Sequence, residues 1–216
     1  MLCLSIFSCG GKKATGDAPA DTIAAKTTTI NSTNKTILFF GDSLTAGYGL
    51  DDVSESFPGV IKARIDSLKL PYNIVNAGVS GETTADGLAR IDWALKQPVD
   101  IFVLELGAND GLRGLSVPQS AGNLQAIIDK VKANYPQAKI ILAGMQIPPN
   151  MGAAYTHDFK DIFPALAAKN HLALVPFLLA GVAGDRKLNQ ADGIHPTAAG
   201  AKIVAENVWK VLKAEL

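Results

Sequence analysis

Apolar and polar positions from residue 36 onward fall into two alternating rhythms. Short apolar runs stop abruptly at small or turn-forming residues: Ile37-Leu38-Phe39-Phe40 before Gly41, Tyr72-Asn73-Ile74-Val75-Asn76 before Ala77-Gly78, Ile101-Phe102-Val103-Leu104-Glu105-Leu106 before Gly107, then 139–143 and 172–175. Each run is too short for a helix and is bounded by breakers, so each reads as a buried strand. Between them apolar residues recur every three or four positions. This spacing predicts helices beginning near Pro58 and ending at 68, over 84–95 (Leu88, Ile91, Leu95), over 118–134 (Leu124, Ile127, Ile128, Val131), over 156–170 with an interruption at Pro164, and over 197–213 (Ile203, Val204, Val208, Trp209, Leu212). Strands alternating with helices imply right-handed crossovers and a five-stranded parallel sheet covered on both faces, a three-layer α/β/α sandwich.

Residues 1–36 follow neither rhythm. Residues 12–35 are rich in Thr, Ala, Asn, Ser and Lys, and such a stretch buries too little apolar surface to offset the entropy of ordering. The division expected is therefore a signal segment over 1–9, a flexible linker over 10–35 and one folded domain over 36–216. Ahead of the linker, Ile6-Phe7-Ser8-Cys9 resembles the lipobox at the end of a bacterial lipoprotein signal peptide, with Cys9 as the residue that would be acylated. The resemblance implies a cell-envelope location, periplasmic or on the outer membrane; the plainer reading is an unordered terminus with an incidental cysteine.

Charge and cysteine content narrow the chemistry. Lys plus Arg and Asp plus Glu number 20 each, so the basic surplus that nucleic-acid partners require is missing. Nothing after residue 36 approaches the run of about 18 apolar residues needed to span a bilayer, which leaves an N-terminal lipid as the expected membrane contact. Both cysteines, Cys3 and Cys9, precede residue 10. The body is thus left without a thiolate nucleophile, and no His or Cys clustering suggests a metal site; no metal and no cofactor are expected. The glycines of 41–49 match neither phosphate-binding spacing, G-x-x-x-x-G-K-[ST] or G-x-G-x-x-G.

The candidate chemistry lies just past the strands. Ser43 follows the first strand, where ligands bind in open parallel sheets, although serine is also a favoured helix cap. Asp192-Gly193-Ile194-His195-Pro196 is a turn in which a carboxylate three residues away reaches the imidazole. It can hold one ring nitrogen protonated and leave the other to take a serine proton; a metal-ligand pair or a surface turn would have the same spacing. Ser80-Gly81 after the second strand offers a backbone N–H, and Asn109 after the third a side-chain amide, both suited to an oxyanion and both also common in ordinary turns. His157 and His171 have no serine or carboxylate block beside them and read as structural. Asp42, next to Ser43, points elsewhere and is expected to hold the loop.

Gly41-Asp42-Ser43-Leu44, Gly81 in Ser80-Gly81-Glu82-Thr83, Gly107-Ala108-Asn109-Asp110 and Asp192-Gly193-Ile194-His195-Pro196 resemble, in order, the four blocks of the SGNH (GDSL) hydrolase family. Leu104-Glu105-Leu106-Gly107-Ala108-Asn109-Asp110-Gly111-Leu112-Arg113-Gly114 and Met145-Gln146-Ile147-Pro148-Pro149-Asn150 are similar to its bacterial arylesterase, acyl-CoA thioesterase I and lysophospholipase L1 branch. The resemblance covers residues 35–216. It implies a flavodoxin-like hydrolase fold and a triad of Ser43, Asp192 and His195. The implied oxyanion hole comprises the Ser43 and Gly81 N–H groups and the Asn109 side chain, with no cofactor. The expected activity is hydrolysis of small esters, thioesters or lysophospholipids through an acyl-enzyme. The alternatives are a carbohydrate O-acetylesterase or acetyltransferase, and a non-catalytic acyl-binding lipoprotein. Met151 stands where this branch often carries an aromatic residue, so chain-length preference does not carry over.

Overall fold

The structure, a computed structural model, describes residues 34–216; Cys9 and nearly all of the expected signal and linker lie outside the described residues. Five strands, β1 (Lys35–Gly41), β2 (Tyr72–Gly78), β3 (Ile101–Glu105), β4 (Lys139–Ala143) and β5 (Ala173–Val175), form one parallel sheet in the order β2-β1-β3-β4-β5. This is the flavodoxin-like order. Because β1 and β3 are central and covered on both faces, they read as continuous apolar runs rather than alternating ones: Ile37 to Phe40 and Ile101 to Leu104 are all buried.

The helices make two layers. On one face α2 (Phe57–Ser67) packs against α7 (Ala198–Leu212); on the other α3 (Thr84–Ala94) packs on α5 (Val117–Asn134), which packs on α6 (Ala153–Asn170). Local chemistry sets their ends. The Ser56 hydroxyl caps α2 by accepting from the Gly59 N–H, Thr83 and Asp86 form a reciprocal capping box at α3, and the Thr197 hydroxyl accepts from the Gly200 N–H at α7.

Two helices differ from the reading of the sequence. The pattern predicts interruption at Pro164, yet α6 runs unbroken from Ala153 through Pro164 to Asn170. Phe159, Ile162, Phe163 and Leu166 are all buried along one side of it, and that burial, about 1.5–3 kcal/mol for each such side chain, outweighs the roughly 3 kcal/mol cost of an interior proline. The segment after β3, expected as a turn, is a short helix α4 (Ala108–Leu112). One more helical turn, α1 (Ser43–Ala46), starts directly at the serine.

Register decides where the site can be. Gly41 pairs with Gly78 of β2 and with Glu105 of β3, so the carboxyl ends of three strands are level. The chain order reverses between β1 and β3, which opens a crevice over these ends.

Candidate active site

Ser43 is brought to the crevice by a turn that only glycine permits. A Cβ on Gly41 would lie 2.1 Å from the Thr45 hydroxyl and 2.5 Å from a Glu105 carboxyl oxygen, so β1 can end against β3 only without a side chain there. The helix cap that sequence reasoning offered as the plain role of Ser43 belongs instead to Asp42, whose carboxylate accepts from the Leu44 N–H at 3.0 Å. Ser43 is thus the first residue of α1, where a backbone N–H has no partner within the helix.

His195 comes from the loop before α7. Its Nε2 is 2.9 Å from Ser43 Oγ, and its Nδ1 is 2.7 Å from Asp192 Oδ2. The other Asp192 oxygen accepts from the Ile194 and His195 N–H groups, each at 3.0 Å. Burial pushes the Asp192 carboxyl up, but the hydrogen bonds to the imidazole and to these two amides outweigh it and hold the group down at about 2. The carboxylate therefore fixes the ring with Nδ1 as donor and leaves Nε2 as the acceptor for the Ser43 hydroxyl.

Residues that no motif singled out pin this loop. The Gln190 side-chain amide donates to the carbonyls of Tyr48, at 2.7 Å, and Pro196, at 3.0 Å, tying the histidine loop to the segment after α1. The Tyr48 ring lies 4.7 Å from the His195 ring. Nothing in the sequence could have announced Gln190, because its partners are backbone atoms 142 residues away or inside its own turn.

The two remaining candidates converge from β2 and β3. Gly81 has φ of +84° and nothing within 4 Å of where a Cβ would stand; the positive φ requires glycine and the open space lets a ligand approach its main chain. The Asn109 amide donates to the Glu82 carbonyl at 2.9 Å and to Asp42 Oδ2 at 3.2 Å. An Arg90 clip holds the Gly81–Glu82 turn from behind: its Nε meets both Glu82 carboxylate oxygens at 2.6 Å, and its Nη2 donates to the carbonyls of Gly41 and Ala77. The Arg113 guanidinium donates to the Gly81 carbonyl at 2.9 Å. Ser43, Gly81, Asn109 and His195 all line one cavity of about 670 Å³, whose other walls include Leu44, Leu112, Met145, Ile147, Phe177, Leu179 and Ile194.

His157 and His171 are not part of this arrangement. His157 lies beside Asp158 and Asp161 on the exposed side of α6, and His171 caps the end of that helix in the left-handed conformation. Asp42, expected to hold the loop, bonds to Leu44, Asn109 and, at 3.5 Å, to Ser43 Oγ.

Set against known proteins, the model of the GDSL-like lipase/acylhydrolase family matches residues 39–203. The esterase TesA of Pseudomonas aeruginosa is 42% identical over 180 residues, 83% of this chain and 88% of that protein. The thioesterase 1/protease 1/lysophospholipase L1 of Escherichia coli K12 is 37% identical over 179 residues, 82% of this chain and 83% of that one. The crystal structure of TesA superposes with a TM-score of 0.80 at 42% identity, covering 84% of this chain and all of the other.

Proposed function

The chain belongs to the GDSL-like lipase/acylhydrolase family and is a serine hydrolase of carboxylic esters or thioesters; on that premise we propose that Ser43 is its nucleophile, His195 its general base and acid, and Asp192 the group that orients His195. His195 Nε2 takes the hydroxyl proton as Ser43 Oγ attacks the acyl carbonyl. The N–H groups of Ser43 and Gly81 and the Asn109 amide receive the developing oxyanion, and His195 then protonates the leaving group. The same base activates the water that releases the acyl-enzyme. The observation that carries this reading is the continuous chain Asp192–His195–Ser43 at 2.7 and 2.9 Å, ending at the wall of an apolar cavity.

The size of that cavity favours an acyl chain longer than acetyl. About 670 Å³ falls within the roughly 300–1,000 Å³ of sites that enclose drug-sized ligands, and Leu112, Ile147, Phe177 and Leu179 offer a long chain the apolar surface that an acetylated sugar would not use. Medium- or long-chain esters, lysophospholipids and acyl thioesters are the substrate classes of this shape. Hydrolysis of p-nitrophenyl esters from acetate to palmitate, by a soluble chain beginning near Lys35 and by its Ser43→Ala variant, tests both points. Turnover should be highest above acetate and fall by about 10⁴-fold or more in the variant. A folded Ser43→Ala protein with full activity would overturn the mechanism, and turnover of acetate alone would replace the substrate class with small acylated glycans. For location, Cys9 acylation and a cell-envelope site remain our proposal from the lipobox resemblance; incorporation of a palmitate analogue that Cys9→Ala abolishes is the expected result.

A further inference from the structure

Behind Ser43 lies a pair of carboxyl groups that the acyl-transfer steps do not use. Asp42 is wholly buried and Glu105 is 1% exposed, and the Glu105 carboxyl sits directly against the Asp42 backbone. Glu105 Oε2 accepts from the Asp42 N–H at 3.2 Å and from the Thr45 hydroxyl at 2.8 Å, whereas Glu105 Oε1 has no partner among the described residues. Another buried carboxyl in the chain is far more fully supplied with donors. Asp110, equally buried, receives three donors, the Thr84 N–H and the hydroxyls of Thr84 and Ser120.

The charged groups around the pair do not neutralise it. Arg90 of α3 spends its guanidinium on Glu82 and on the carbonyls of Gly41 and Ala77. Asp110 of α4 turns to Thr84 and Ser120, and β2 contributes only the neutral Asn76, which donates to the Thr45 carbonyl. His195, from the loop before α7, spends its two ring nitrogens on Asp192 and Ser43 and bonds to neither carboxyl of the pair. Two adjacent anions without a bound cation cannot both persist in a dry site; one proton is retained between them.

We propose that Glu105 is a positioning residue for the acyl-transfer site: it stays protonated while Asp42 is ionised, and the proton they share leaves one buried negative charge that holds the Asn109 amide and the Ser43 turn in place. An anionic oxygen accepts from N–H and repels C=O, so ionised Asp42 holds the nitrogen end of the Asn109 amide beside the Ser43 turn by one N–H, and the other, on the Glu82 carbonyl at rest, is the one free to turn to the oxyanion. It also caps α1 through the Leu44 N–H. A second charge on Glu105 would set two buried anions against each other, and a missing Glu105 would leave the Asp42 N–H without its acceptor. The direction of the titrations agrees: burial first, then the Asp42 charge, pushes Glu105 well above the usual carboxylate range.

This inference rests on the roles given above to Ser43 and Asn109, and the test separates the two. Infrared spectra of the resting chain in D₂O at neutral pH should show the carbonyl stretch of a neutral carboxylic acid, and Glu105→Gln should lack it. With p-nitrophenyl butyrate, Glu105→Leu should lose about tenfold or more in kcat with KM changed little. Glu105→Gln, whose amide can still donate to Asp42, should recover most of that loss. No neutral-acid band in the wild type, a band that persists in Glu105→Gln, or a Glu105→Leu enzyme with undiminished kcat would each overturn the proposal. Should Glu105→Leu fail to fold, the two spectra decide alone. They are read without substrate and do not depend on Ser43 being the nucleophile.

Discussion

Two aspartates flank the same serine, and their surroundings push them in opposite directions. Asp192 stands in the open loop before α7, its side chain 37% exposed, where the imidazole and two amide N–H groups hold it at about 2. Asp42 stands in the closed turn after β1, where burial raises it to about 6 against the hydrogen bonds from Leu44, Glu105 and Ser43. The open loop tolerates a permanent charge because donors and solvent stabilise it. The closed turn carries one because its backbone and a neighbouring acid share the load. On the roles proposed above, the comparison separates two jobs: the more exposed carboxylate orients the imidazole, and the buried one shapes the turn that presents Ser43.

The sharpest way to break this comparison is Asp192→Asn. The amide can keep the bonds to Ile194 and His195 N–H but favours the wrong imidazole tautomer, so kcat should fall by roughly 10³- to 10⁴-fold, and removal of a charge that the fold holds ionised should lower the melting temperature at neutral pH by a few degrees. Circular-dichroism melts beside ester kinetics check both halves; a drop in stability without the drop in kcat would show that Asp192 serves the loop and not the base. Asn109→Ala comes next, with an expected loss of about 10²- to 10³-fold in kcat. KM should be nearly constant, because the amide serves the oxyanion and not the ground-state acyl chain. A change confined to KM would remove Asn109 from the hole.

The smallest effect is the most diagnostic of the buried partner. The folded Asp42 carboxyl takes up a proton near pH 6, whereas an unfolded aspartate does so near 4. Between pH 6 and 4 the folded state therefore holds a proton that the unfolded chain lacks, and this contribution to stability rises as pH falls through that window. Asp192 has the reverse sign: its contribution is complete above about pH 4 and disappears as pH falls toward 2. Melting temperatures from pH 7 to 4 should accordingly show a flatter profile for Asp42→Asn than for the wild type. Superimposable profiles would mean that Asp42 is not the group titrating there.

Much of this molecule is legible in its sequence because its cues are local. Apolar runs such as 37–40 and 101–104 are strands of a sheet buried on both faces, helix spacing locates the covering layers, and the Asp192–His195 turn is a pairing that three residues suffice to specify. Proline at 164 misleads for the converse reason. A local rule says break, but Phe159, Phe163 and Leu166 pack against the sheet, and that packing is a property of the whole fold. Glu105 is intermediate: a lone acid closing an apolar central strand is visible in the sequence as an anomaly, but its meaning is not.

Which backbone atoms and side chains meet across the crevice was settled by folding. Gly41 faces both Gly78 and Glu105 because parallel register aligns the strand ends. Asp42, rather than Ser43, caps α1, and it meets Asn109 from 67 residues away. Gln190 reaches the Tyr48 carbonyl and Arg90 the carbonyls of Gly41 and Ala77. A carbonyl presents the same chemistry at every residue, so such contacts leave no trace in the order of side chains. The strands, the helices and the residue types suited to acyl chemistry are written in the order of residues, whereas folding selects which polar groups are dry enough, and close enough, to hold them in position.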